Sequence, residues 1–206
     1  MKRLKSFGPN LPPCGLKVLL CDRNPSITEN WANVFSYADG VEIWEGDLLA
    51  LDGDALVSPA NSFGDMGGGI DKHIDDAHHG AAQSAVMAAI REQWFGELPV
   101  GMAIVVTLPS NRWPYLVCAP TMRIPRNVAG SINAYLAMRA ALVAVLKFNA
   151  NSARPIRTLA IPGLCTGVGG MPTQDAAEQM RSAYDNIVLE EWKRIQHPLM
   201  APYTFR

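Results

Sequence analysis

Apolar positions along the chain follow two different patterns. Short continuous apolar runs predict six strands, at residues 17–22, 41–47, 55–61, 101–108, 115–119 and 158–161. Longer stretches with apolar residues every three or four positions predict helices around Trp31, at 80–95, at 131–149 and after Thr173. Short apolar strands that alternate with helices are typical of a largely parallel sheet covered on both faces. The pattern therefore predicts an α/β protein, with a three-layer α/β/α fold and a mixed, largely parallel sheet of about six strands.

Side chains that can accept hydrogen bonds from free backbone amides stand near the start of three predicted helices. The first of these helices would be capped by Ser26 or Thr28, the long helix by Ser131, and the last helix by Thr173. We therefore expect these helices to begin just after those residues.

The length and composition fit one domain. The chain has 206 residues, of which 49% are hydrophobic, which is enough for one core. Residues 1–16 show neither pattern and predict an irregular arm, whereas residues 17–40 predict a strand and helix added to the main core. The prediction is a single domain over residues 1–206.

The charge and the cysteine content limit the partners and the compartment that the sequence predicts. A net charge of −1 argues against bulk nucleic-acid binding and against attraction to an anionic membrane. The four cysteines form no C-x-x-C pair, which is typical of reduced thiols. The basic N-terminal residues precede no long apolar stretch, so neither a secretion signal nor a membrane span is predicted. We expect a cytoplasmic protein without a cofactor or metal ion.

Two glycine-rich loops follow predicted strands and lead towards helices. The first is Gly67-Gly68-Gly69-Ile70-Asp71, and the second is Cys165-Thr166-Gly167-Val168-Gly169-Gly170. Glycine lets a ligand approach the backbone closely, and consecutive amides beside a helix N-terminus bind anions. Loops at the carboxyl ends of parallel strands form the usual ligand crevice of such sheets. The two loops therefore predict a diphosphate site.

Neither loop matches the common nucleotide-binding motifs. No Gly-Lys-Ser/Thr follows the glycines, and no G-x-G-x-x-G spacing follows the first strand. One such loop alone would be explained by a tight turn. Two loops at strand ends, with an acid and an amide between them, indicate a binding site instead.

These motifs together resemble the macro domain. The resemblance rests on Gly46-Asp47, on residues 55–61 (ALVSPAN), on residues 67–71, and on the second loop within residues 162–172. It covers about residues 45–195, most of the chain. It implies a macro-domain-like fold and a site for ADP-ribose.

The resemblance also implies a role for each residue that contacts the ligand. Asp47 would accept a hydrogen bond from the adenine amino group, with the Leu48 backbone beside it. Asn61 would hold the hydroxyls of the distal ribose, since an amide supplies both a donor and an acceptor. The two loops, residues 67–70 and 165–170, would wrap the diphosphate from two sides.

In the hydrolytic macro domains of the MacroD type, an aspartate placed like Asp71 orients a water or acts as a base. A nearby diphosphate would raise the pKa of that carboxyl group, which suits a base, and Asn61 would fix the ribose beside it. The resemblance thus implies an ADP-ribosyl hydrolase, acting on a modified protein, a nucleic-acid end or a small molecule. A reader that binds without turnover and an ADP-ribose 1″-phosphate phosphatase are the alternatives.

The chain departs from the family pattern in three places. Gly169 stands where the family often has an aromatic residue over the distal ribose, and Asp75 stands where a histidine is common. Family members usually end with a further strand after the last helix, and the end of this chain is poor strand material. The predicted strand at residues 17–22 would fill part of that sheet edge.

Other reactive side chains have simpler interpretations. The spacing of His73, His78 and His79 does not suit a metal, so they are predicted to be solvated. Cys165 has no histidine beside it in the sequence and is predicted to be a packing thiol. The stretch Arg123–Arg126 fits a solvated loop and a contact with phosphate or partner equally well.

Overall fold

A seven-stranded sheet forms the centre of the computed structural model, which describes residues 1–8 and 10–202. The strands are β1 (Lys2–Lys5), β2 (Lys17–Asp22), β3 (Val41–Glu45), β4 (Ala55–Ser58), β5 (Ile104–Thr107), β6 (Tyr115–Cys118) and β7 (Thr158–Ile161). Their order is β1-β3-β2-β7-β4-β6-β5. The five inner strands run parallel, and the edge strands β1 and β5 are antiparallel to their neighbours.

Helices cover both faces of the sheet. They are α1 (Pro25–Val34), α2 (Gly69–Ala77), α3 (Ala81–Trp94), α4 (Asn133–Asn151) and α5 (Thr173–Ile187). One apolar core lies between the sheet and α1, α4 and α5, and a second lies between the sheet and α2 and α3. The predicted three-layer α/β/α fold with a mixed, largely parallel sheet is confirmed. Within the described ranges, none of the helices combines the length and apolar character needed to cross a membrane.

Side chains of β4 alternate between the two cores, as the period of a strand requires. Ala55 and Val57 pack in the core beneath α1, α4 and α5, whereas Leu56 packs in the core beneath α2 and α3. By the same alternation, Ser58 faces α2. This register determines which strand residue meets the helix that follows the first glycine loop.

The N-terminal arm is more ordered than its sequence predicts. Residues Lys2–Lys5 are not irregular but form β1, which pairs antiparallel with β3. Lys2 lies opposite Glu45, and Arg3 donates a hydrogen bond of 3.1 Å to Glu42. A charged edge strand lacks the apolar run by which inner strands are recognised, so the sheet has one strand more than expected.

The predicted edge position of β2 was wrong. It lies not at an edge but between β3 and β7, parallel to both. After α5, the described residues form two 3₁₀ turns, at Glu191–Arg194 and Pro198–Met200, and no further strand up to residue 202. A strand from near the N-terminus therefore completes the middle of the sheet.

Two of the predicted helix caps were wrong. Asn24 caps α1, accepting a hydrogen bond of 3.0 Å from the Ser26 backbone, so that Ser26 and Thr28 lie inside the helix. Thr173 is the first residue of α5 rather than its cap, and Pro172 occupies the cap position without a side-chain hydrogen bond. Ser131 does accept a hydrogen bond from a first-turn amide of α4, although the cap position itself is one residue later.

Candidate functional site

A cavity of about 420 Å³ opens at the carboxyl-end edge of the parallel strands. Its walls come from the segments that follow β2, β3, β4, β6 and β7, together with the start of α2. This is the crevice where open α/β sheets bind ligands, and its volume is within the usual range for small-molecule sites. The cavity is therefore the candidate functional site.

Most residues predicted to bind the ligand line this cavity. The predicted residues in its wall are Leu48, Asn61, Gly68, Gly69, Ile70, Asp71, Cys165, Thr166, Gly167, Val168 and Gly169. Three predicted residues, Asp47, Gly67 and Gly170, lie outside the wall. The two glycine-rich loops, distant in sequence, thus meet across one cavity.

The first loop presents the N-terminus of α2 to the cavity. Gly68 precedes the helix and makes no side-chain cap bond, so the first-turn amides are not satisfied by a cap. A side chain at Gly68 or Gly69 would extend into open space, and Gly69 has a φ of +56° that favours glycine. Exposed amides at a helix N-terminus form an anion-binding site.

Asn61 fixes the backbone of the segment that joins β4 to the first glycine-rich loop. Its Oδ1 accepts hydrogen bonds from the Phe63 backbone at 3.0 Å and the Asp65 backbone at 3.4 Å, and its Nδ2 donates to the Asp65 carbonyl at 3.0 Å. Both acceptor positions of the amide are therefore used, and one N–H remains for a ligand. Asn61 lines the cavity, but it also holds the shape of the segment that leads into the first loop.

The second loop is packed too tightly for the aromatic residue that the family often carries. A Cβ atom at Gly169 would lie 2.4 Å from the Cys165 carbonyl oxygen and 2.9 Å from Cγ2 of Val128. The Gly169 carbonyl also accepts a hydrogen bond of 2.8 Å from the Val128 backbone. The segment that follows β6 thus occupies the space where a larger side chain would lie, which explains the glycine.

Asp47 is engaged by two side chains that the sequence interpretation did not assign to the site. Its carboxylate accepts hydrogen bonds from the Leu49 backbone at 3.0 Å and from Arg23 at 2.9 Å, and it lies 3.2 Å from Nε2 of His73. Burial opposes ionisation of Asp47, but these hydrogen bonds outweigh it and lower its pKa. His73 is therefore not simply solvated, and Arg23 and His73 both line the cavity beside Leu48.

Asp71 lies in the first turn of α2, and its carboxyl group accepts a hydrogen bond from a side chain of β4. The hydroxyl of Ser58 donates a hydrogen bond of 2.6 Å to Oδ1 of Asp71. Desolvation of the carboxyl raises the pKa of Asp71 to about 7, against the hydrogen bond from Ser58 and with a further contribution from the charge of Asp65. Burial is thus the main cause of the raised pKa of Asp71, and the charge of a diphosphate is not needed for it. The group can accept or release a proton near neutral pH.

The remaining reactive side chains are either buried or paired with a neighbouring side chain. Burial raises the pKa of the Cys165 thiol to about 12, as expected for a packing residue rather than a nucleophile. Lys72 forms an ion pair of 2.8 Å with Asp76 on the exposed side of α2. Arg123 pairs with Glu97 at 2.7 Å, which favours the solvated-loop interpretation of that residue. Across residues 1–8 and 10–202, no group of three or more His, Cys, Asp or Glu side chains is placed to hold a metal ion.

Comparison with known proteins identifies the family. The family model described as the macro domain matches residues 57–180, more than half of the chain, and this chain therefore belongs to the macro domain family, whose members bind ADP-ribose. An uncharacterised protein of Aquifex aeolicus is 31% identical over 140 residues, covering 68% of this chain and 78% of its own. An O-acetyl-ADP-ribose deacetylase of Klebsiella pneumoniae is 32% identical over 142 residues, covering 66% and 74%. The macrodomain of Mycobacterium tuberculosis DarG has a similar structure, with a TM-score of 0.56, 25% identity, and coverage of 70% of this chain and 89% of its own.

Proposed function

We propose that this protein hydrolyses ADP-ribosyl esters, with Asp71 as the general base. The observation that carries the proposal is the position of Asp71, which lines the cavity at the start of α2, where desolvation raises the pKa of its carboxyl to about 7. A base is most effective when its pKa lies near the working pH. The similarity to an O-acetyl-ADP-ribose deacetylase supports an ester as the substrate class.

The diphosphate would lie between the two glycine-rich loops. On one side it would meet the uncapped amides at the start of α2, and on the other the backbone of Thr166 to Gly169. Amides and the helix dipole neutralise a diphosphate without a lysine, in keeping with the near-neutral charge of the chain. These contacts would hold the reacting end of the substrate in place.

Different side chains would bind the adenine end and the distal ribose end of the ligand. The adenine would lie near Leu48, where Arg23, Asp47 and His73 form a hydrogen-bonded cluster. The distal ribose would lie near Asn61, whose remaining N–H can donate to a hydroxyl group. This orientation brings the distal ribose to Asp71.

In the reaction, Asp71 takes a proton from a water molecule as the water oxygen bonds to the ester carbonyl carbon. The bond between that carbon and the ribose oxygen then breaks, and the ribose oxygen takes the proton from Asp71. The products are ADP-ribose and a carboxylic acid, which keeps the second proton of the water and then releases it to solvent. A module that only binds ADP-ribose has no need of a carboxyl group with a pKa near 7 in its cavity.

The test is turnover of several substrates by the wild type and two matched variants. The panel contains O-acetyl-ADP-ribose, a protein ADP-ribosylated on acidic side chains, an ADP-ribosylated nucleic-acid end and ADP-ribose 1″-phosphate. We expect release of ADP-ribose from the esters, a fall in kcat of roughly 10²–10⁴ for Asp71→Asn, and full activity for Asp76→Asn. Asp76 lies on the same helix but is exposed and outside the cavity wall. Equal rates for wild type and Asp71→Asn would refute the base, and binding without any turnover would favour a reader.

We also propose that the protein works in the cytoplasm. Four free cysteines are described, and three of them, Cys21, Cys118 and Cys165, are buried. Free buried thiols are typical of a reducing compartment. Fractionation of the source cells, followed by detection of the chain, tests this location.

A further inference from the structure

A buried hydroxyl group is hydrogen-bonded to the carboxyl group of a residue that lines the cavity. Ser58 is fully buried and takes no part in the cavity wall, whereas Asp71 does. The 2.6 Å hydrogen bond joins Ser58 Oγ to only one carboxyl oxygen, Oδ1 of Asp71. We propose that Ser58 is a positioning residue: it anchors Oδ1 and leaves Oδ2 of Asp71 free to meet the reacting water. This inference rests on the proposed role of Asp71 as the base.

The alternation of side chains along β4 determines the direction in which the Ser58 side chain points. Ser58 is the last residue of β4, and the alternation of that strand directs it towards α2, where Asp71 lies in the first turn. The other three residues of β4 are apolar and pack in the two cores. A hydroxyl in such surroundings must be hydrogen-bonded, and Asp71 provides the acceptor.

A hydroxyl group can form a hydrogen bond with both the ionised and the protonated form of a carboxyl group. It donates to the ionised carboxylate, and by rotating about its C–O bond it can accept from the protonated form. The hydrogen bond can therefore persist through a catalytic cycle. A methyl group would support neither state.

The other groups around Asp71 cannot replace this donor. Asp65, from the loop after β4, carries a like charge that raises the pKa of Asp71. The Cys118 thiol lies opposite Ser58 on β6, and burial together with the charge of Asp71 raises its own pKa. Lys72, the next residue on α2, is paired with Asp76 on the exposed side. Ser58 is thus the group that stabilises the ionised form of Asp71.

Ser58→Ala should shift the pH–rate profile and lower kcat. Without its donor, the carboxylate needs a higher pH to ionise, so the acidic limb of the pH–rate profile should move up by roughly one pH unit. At neutral pH kcat should fall roughly tenfold, while KM should change little because Ser58 does not line the cavity. Ser58→Thr, which keeps the hydroxyl group, should restore the wild-type profile.

A carboxyl titration that needs no turnover complements this pH–rate profile. The ¹³Cγ resonance of Asp71 is followed against pH by NMR in the wild type, Ser58→Ala and Ser58→Thr, each with its circular dichroism spectrum. A midpoint raised in the Ala variant and restored in the Thr variant supports the inference, and an unmoved midpoint in folded Ser58→Ala overturns it. If Ser58→Ala does not fold, Ser58→Cys, which fills the space with a weak donor, is measured in its place under the same criteria. If the wild type hydrolyses nothing, the proposed function fails, and the titration still decides the role of Ser58.

Discussion

Replacing Asp71 with asparagine should slow hydrolysis by roughly 10²–10⁴ and at the same time stabilise the folded protein. The two side chains have nearly the same shape, and Ser58 can accept a hydrogen bond from an amide as readily as it donates to a carboxylate. The substitution therefore removes an ionisable group while keeping its contacts. Any gain in stability reports what ionisation of Asp71 costs the wild type.

The magnitude follows from the raised pKa. The pKa of Asp71 moves from an ordinary value of 3.8 to about 7 in the folded protein. Because the folded pKa is the higher one, the unfolded chain ionises first, and the wild type loses stability as pH rises from about 4 to about 7. A difference of about three pH units corresponds to roughly 4 kcal/mol, and water that reaches the cavity should reduce this to roughly 2–4 kcal/mol.

Urea denaturation between pH 5 and 8 measures this cost, with Asp76→Asn as the exposed control on the same helix. The stability advantage of Asp71→Asn should grow by up to about 1.4 kcal/mol per pH unit and level off above about pH 7. The advantage of the control should stay near zero at every pH. A difference between wild type and Asp71→Asn that does not vary with pH would refute the raised pKa and with it the argument for a neutral-pH base.

Three further predictions concern the residues around the ligand. Asp47→Ala should weaken ADP-ribose binding by roughly 1–3 kcal/mol in calorimetry, because it dismantles the cluster near the adenine; an unchanged affinity would exclude that role. Asn61→Ala should lower both affinity and kcat, because the amide also fixes the segment that leads into the first loop; loss of only one would separate the two roles. Gly169→Ala should cost roughly 1–3 kcal/mol of stability, whereas Gly130→Ala, with open space around it, should cost little; equal costs would contradict the packing argument.

The inner strands were predictable because each is an apolar run buried between two helical layers. The apolar runs at residues 55–61 and 158–161 predict strands, and the structure forms β4 over the first four residues of the former and β7 over the whole of the latter. Strand β1 was missed because its exposed edge carries lysine and arginine side chains instead of an apolar run. The position of β2 was also not predictable, because a strand pattern does not encode which neighbours the strand pairs with.

The loops of the site were predictable, whereas its side-chain contacts were not. Glycines at strand ends are a local signal, and the structure brings both loops to one cavity. The contacts of Arg23 with Asp47, and of Ser58 with Asp71, depend on register and on strand order. The position of Ser58 could have been inferred from the alternation of β4, but the direction of α2 relative to that strand is a tertiary property. Likewise, Gly169 could be explained only once Val128 was seen beside it.

The central claim is that the cavity between the two loops is an ADP-ribose site. Calorimetric titration of the wild-type protein with ADP-ribose, ADP and AMP tests it most directly, since the distal ribose distinguishes the first ligand from the other two. We predict one site per chain for ADP-ribose and much weaker binding of ADP and AMP, because only ADP-ribose reaches from the cluster at Asp47 to Asn61. Equal affinities for the three ligands would show a generic nucleotide pocket, and an absence of binding to ADP-ribose would contradict the account.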